Sequence, residues 1–128
     1  MRRAASCCCG ACTIEVEGEP TLNAVCHCDN CRRRTGSALG WSVYFKDEQV
    51  LAKTGAAQLY EINNPANPQQ RWFCGACGTT LYWKSAFMAD HIGIAGGCFA
   101  DPLPAPAFSQ LDEQRFAWLA LPEDWMRW

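Results

Sequence analysis

No apolar run in this 128-residue chain is long enough to cross a membrane as a helix. The charged start, Met1-Arg2-Arg3-Ala4-Ala5-Ser6, is followed by no apolar stretch, so no signal peptide is read and a cytoplasmic location is expected. Positive charge is not in excess: 11 Lys and Arg stand against 13 Asp and Glu, for a net charge of −2. That balance gives no overall pull toward nucleic acid or an anionic membrane, and neither is expected as a partner. There is no linker-like or low-complexity segment and little helical periodicity. The length suffices for one substantial core but not two, so residues 1–128 are expected to form a single domain, with 1–6 as a loose tail.

What the chain does have is cysteine, ten in 128 residues. A secreted disulfide framework and intracellular metal binding are the two explanations for such a count. The lack of a signal peptide and the clustering favour metal. Cys7, Cys8 and Cys9 are consecutive, and Cys26, Cys28 and Cys31 fall within six positions. Neighbours this close pair poorly, because a disulfide needs its Cα atoms several Å apart with converging Cβ vectors. They can instead converge on one ion, and thiolates point to zinc. Cys74-Gly75-Ala76-Cys77-Gly78 has the form of a zinc knuckle, its glycines letting the backbone fold back around the metal.

The rest of the chain reads as short strands. Thr13–Glu17 and Trp41–Phe45 alternate apolar and polar, the latter placing Trp41, Val43 and Phe45 on one face. Leu22–Val25, Val50-Leu51, Gln58–Ile62 and His91–Ala95 are further strands. Gln70–Phe73 and Thr79–Trp83 flank the Cys74/Cys77 knuckle as a hairpin. Asn30–Thr35 predicts one or two helical turns stopped by Gly36. Asn63–Pro68 and Asp101–Pro106 are loops by turn chemistry. Phe108–Trp128 has no clean period and is assigned no element. The fold class is mainly β.

Spacing leaves the metal pairing open. Cys74/Cys77 needs a second pair to close a four-thiolate site, and either Cys7/Cys9 or the central trio could supply it. Gly10 after Cys9 matches Gly78 after Cys77, which favours the first. The trio would then have three thiolates and one free position, the mark of a working rather than a structural zinc. His27, Cys12, Cys98 and His91 are the alternatives for closing it.

Together, Cys7-x-Cys9-Gly10, Cys26-His27-Cys28-x-x-Cys31-Arg32 with Thr35-Gly36, and Phe73-Cys74-x-x-Cys77-Gly78 resemble the glutathione-dependent formaldehyde-activating enzyme family, whose domain also occurs in centromere protein V. The resemblance covers about residues 6–119, and includes Gly96-Gly97-x-x-x-Asp101-Pro102 and Trp118-Leu119. It implies an Mss4-like, β-tent fold of short antiparallel strands with zinc knuckles. It implies two zincs per chain: a structural one on Cys7, Cys9, Cys74 and Cys77, and a second on Cys26, Cys28 and Cys31. It also implies a carbon–sulfur lyase that condenses formaldehyde reversibly with glutathione to S-hydroxymethylglutathione. Cys8 and Cys12 are not family ligands, and Cys98 stands where the family commonly has a small hydroxyl residue.

The residues agree with that chemistry. Zinc held by three thiolates has a formal site charge of about −1. That makes it a weak generator of hydroxide and a better holder of a fourth thiolate from a substrate. Glutathione brings such a thiol and two carboxylates, which Arg32 and Arg33 are expected to meet. The alternative from another class is a non-catalytic zinc module that binds a protein or nucleic acid.

Overall fold

The computed structural model describes all 128 residues. The expected strand segments form β2 (Thr13–Glu17), β3 (Leu22–Cys26), β4 (Gly40–Lys46), β5 (Val50–Thr54), β6 (Ala57–Ile62), β7 (Gln69–Cys74), β8 (Thr80–Ser85) and β9 (His91–Ala95); the chain adds β1 (Arg2–Ser6) before them and β10 (Phe108–Gln110) and β11 (Met126–Arg127) near the C-terminus. One helix, α1 (Asp29–Thr35), lies between β3 and β4. Gly36 ends it in the left-handed region at φ +65°, where its N–H donates to the Arg32 carbonyl.

The strands make two sheets. A three-stranded sheet runs β1-β2-β5 and an eight-stranded sheet runs β11-β10-β3-β4-β9-β8-β7-β6. The alternating faces decide how they pack. Ile14 and Val16 of β2 meet Val43 and Phe45 of β4, Leu81 of β8, and Ile92 and Ile94 of β9 in one buried core. The other face of β4 carries Ser42 and Tyr44, and it is turned toward the central cysteines. Gly93 leaves room for Trp83: a Cβ there would lie 2.2 Å from its indole nitrogen.

The N-terminal residues depart from expectation. Residues 2–6 are not a loose tail but β1, paired antiparallel to β2 from Arg2↔Glu17 to Ser6↔Thr13. Ala5 is fully buried. Arg3 is held by the carbonyls of Pro102 and Gly18, both at 3.0 Å, and by an ion pair with Glu19. An Ala-Ala segment has little intrinsic strand preference, so its order comes from partners that sequence does not place beside it.

The C-terminal part is also more ordered than its irregular pattern suggests. β10 pairs in parallel with both β3 and β11, an exception to the antiparallel rule of this fold. The long connection from β9 permits this, since parallel pairing needs a crossover rather than a tight turn. Phe108 packs on Trp128 with ring centroids 5.1 Å apart.

Candidate metal centres

Two turns build the first cluster. After β1 the backbone folds back: the Cys7 N–H donates to the Cys12 carbonyl at 3.0 Å, and Gly10 takes φ +82°. Between β7 and β8 the second turn repeats this. The Cys74 N–H donates to the Thr79 carbonyl at 2.9 Å, and Gly78 takes φ +79°. Backbone N–H groups also point at sulfur, from Cys12 to Cys7 Sγ at 3.2 Å and from Ala76 to Cys74 Sγ at 3.4 Å. The result brings together the sulfurs of Cys7, Cys9, Cys74 and Cys77, all within 4.8 Å of one another.

The spacing fits zinc. Cys9 Sγ lies 3.7 Å from both Cys7 Sγ and Cys74 Sγ. Four sulfurs at zinc's ~2.3 Å bond length sit at tetrahedron corners about 3.8 Å apart. The Thr79 hydroxyl and backbone pull the Cys77 thiol down to about 5, toward the form a metal takes. Cys12, though buried, is outside the cluster, and Cys8 and Cys98 are also outside it.

The second cluster comes from one continuous segment. β3 delivers Cys26, Cys28 caps α1, and Cys31 sits in its first turn. The Cys31 N–H donates to Cys28 Sγ at 3.4 Å. The three sulfurs lie within 4.8 Å, and none of the residues weighed as a fourth ligand joins them. His27 is fully buried and turned away. Its Nε2 lies 2.8 Å from Ser109 Oγ, whose hydroxyl donates to Asp112 Oδ1 at 2.7 Å. Burial pushes the His27 pKa down, so it is neutral and donates through Nε2. His91 is bound to Asp90 and Thr21.

The neighbouring thiols of Cys26 and Cys31 pull Cys28 down to about 2, while the same contacts and burial push Cys26 up. The three therefore share a single negative charge readily, and all three become thiolates when a cation joins them. This donor set suits zinc.

The arginines divide in an unexpected way. Arg32 forms an ion pair with Asp29 and lies over the Phe116 ring, 5.0 Å from its centroid. Arg33 is exposed. Arg34 is the one turned inward. Its guanidinium stacks on Trp83 at 4.0 Å, and its Nη2 is buried without a hydrogen-bond partner. A Cβ on Gly40 would lie 2.6 Å from that nitrogen and 3.0 Å from Cys31 Cβ, so this glycine lets the cation approach the trio. Arg71, on β7 and buried, donates to the Asn30 side chain at 2.9 Å. Its sole signal in the sequence is a charged residue at an inward strand position.

A cavity of about 410 Å³ opens beside the trio, lined by Cys26, Cys28 and Cys31 with Ser42, Tyr44 and Ser85. Phe87, Leu111 and Trp128 give it an apolar side. Neither Arg32 nor Arg33 lines it. The three hydroxyl residues were not singled out in the sequence, and none of the four-sulfur cluster lines this cavity.

The fold is shared with a crystal structure of a Rhodobacter sphaeroides protein, at TM-score 0.62 and 24% sequence identity over 79% of this chain and 91% of that one. No curated protein sequence matches this chain. Residues 2–116 match the sequence model described as "Glutathione-dependent formaldehyde-activating enzyme". With the motifs on that span, the chain belongs to the glutathione-dependent formaldehyde-activating enzyme family.

Proposed function

We propose that this chain is a zinc-dependent carbon–sulfur lyase handling a thiol–aldehyde adduct such as S-hydroxymethylglutathione. The observation that carries the reading is the three-sulfur cluster on the wall of a cavity, beside a four-sulfur cluster that closes on itself. Cys7, Cys9, Cys74 and Cys77 hold a structural zinc, and Cys26, Cys28 and Cys31 hold a second. That second zinc, when bound, keeps a substrate sulfur in its thiolate form near neutral pH.

The chain's residues do the rest. Three thiolates leave room for one more ligand. Arg34 and Arg71 interact with the charge on Cys31 and offset the negative charge that accumulates there. The cavity gives the carbon that forms and loses the S–C bond a partly apolar surrounding. In the forward direction the thiol loses its proton to solvent and sulfur adds to the aldehyde carbon. The C=O π pair moves to oxygen, which takes a proton from water. Arg33, exposed and without an ion pair, is the member of the arginine run open to a glutathione carboxylate.

The test joins metal analysis to titration calorimetry with glutathione and S-methylglutathione. Two zincs per chain are expected, one released readily by chelator, and the free thiol should bind at least tenfold better than its capped form. Equal binding of the two ligands would show that the metal does not meet the sulfur, and the non-catalytic zinc module would replace the lyase.

A further inference from the structure

Along β4 the residues facing away from the core are Gly40, Ser42 and Tyr44, and this face turns toward the trio. Ser85, at the end of β8, faces the same cavity. All three hydroxyl residues are buried, Ser42 at 3%, Tyr44 at 6% and Ser85 at 8% exposure. Their hydrogen bonding is incomplete. The Trp83 indole N–H donates to the Tyr44 oxygen at 3.2 Å. That bond occupies a lone pair and leaves the phenolic O–H to donate elsewhere. The Ser85 hydroxyl is buried near the Tyr44 oxygen without a formed hydrogen bond. Buried hydroxyls without partners are rare, because they give up hydration and gain nothing in return. Here a donor and a second unpaired hydroxyl share one cavity wall with three thiols.

We propose that Tyr44 and Ser85 form a hydrogen-bonding site for the oxygen one carbon away from a sulfur held at the trio, so that the cavity selects thiohemiacetals over thioethers. The inference rests on the lyase reading for where the sulfur sits. A carbonyl oxygen has two lone pairs and accepts from both hydroxyls. The hydroxyl of an S–CH2–OH group accepts from Tyr44 and donates to Ser85. As the S–C bond forms, the C=O π pair collects on this oxygen, and the Tyr44 hydrogen bond strengthens as its charge grows. Tyr44 keeps its own proton; the one that completes the product O–H comes from water. Burial raises the phenol's pKa, which preserves it as a neutral donor. Trp83 fixes the direction of that donor, and Gly93 leaves the indole the space it needs.

The experiment uses the zinc-loaded full chain and two ligands that differ in one group. S-hydroxymethylglutathione, maintained by excess formaldehyde, carries a hydroxyl where S-ethylglutathione carries a methyl. Wild type should favour the hydroxymethyl ligand by about ten- to a hundredfold, the worth of one or two neutral hydrogen bonds. Tyr44→Phe should bring that ratio to within about threefold and leave S-ethylglutathione binding and zinc content unchanged. Ser85→Ala should reduce the ratio by a smaller factor and serves if the Tyr44 variant fails to fold. A ratio near one in wild type, or one unchanged in a folded Tyr44→Phe or Ser85→Ala, overturns the proposal. Failure of the lyase reading appears elsewhere, as wild type that shows the preference but releases no formaldehyde from the adduct.

Discussion

The four-sulfur and three-sulfur clusters use the same ligand chemistry and nearly the same local spacing, yet they differ in what they connect. Cys9 and Cys74 stand 65 residues apart in sequence and 3.7 Å apart in space. The four-sulfur cluster thus ties the turn after β1 to the β7–β8 hairpin, and its Cys7 and Cys74 belong to the main core. The trio spans six residues of one segment and joins nothing distant through its sulfurs. Its loop is anchored by the residue between two ligands, through the buried His27–Ser109–Asp112 chain to β10. A cluster that closes a long loop contributes to folding, while one within a short segment is free to serve a ligand.

That contrast can be broken most severely at Cys74. Cys74→Ser should give protein that is insoluble or lacks a cooperative thermal transition, because structural zinc sites contribute on the order of 10 kcal/mol of apparent binding energy to folding. A melt indistinguishable from wild type would remove the four-thiolate assignment. Cys28→Ser should act on the other side of the comparison. One zinc of two should be lost by elemental analysis and glutathione binding with it, while circular dichroism and cooperative melting persist. Loss of both zincs would show that the clusters are not independent.

Ser109→Ala sharpens the difference in anchoring. It leaves the buried His27 Nε2 unpaired, at a cost of about 1–3 kcal/mol. A lower melting temperature should accompany faster chelator removal of the trio's zinc, with the four-sulfur zinc released at its wild-type rate. Equal acceleration at both sites would mean that His27 supports the fold generally. Cys12→Ala should have the smallest effect: two zincs retained, and about 1 kcal/mol lost for a buried sulfur whose backbone N–H still reaches Cys7. One zinc lost would make the N-terminal Cys7, Cys9 and Cys12 a site of their own.

Local chemistry was legible in the sequence. Thr13–Glu17 and Trp41–Phe45 alternate because one face of each strand is buried, and the pattern needs no knowledge of the partner strand. The glycines after Cys9 and Cys77 marked positive φ, since a side chain there is strained whatever surrounds it. The same local rule placed Cys26, Cys28 and Cys31 in one turn and ended α1 at Gly36. Tertiary structure alone decided the rest. It made residues 2–6 a strand through Arg3 and Ala5, and it ordered β10 and β11 through parallel pairing too short to leave a period. It laid Arg32 over Phe116, turned Arg34 inward, and brought Arg71 to Asn30 from a strand 41 positions away. It also set the hydroxyls of Tyr44 and Ser85 on one wall beside the thiols. A spacing rule fixes what a backbone turn can bring together within a few bonds. Which distant side chain faces a cavity depends on sheet order and register, which the whole core selects at once.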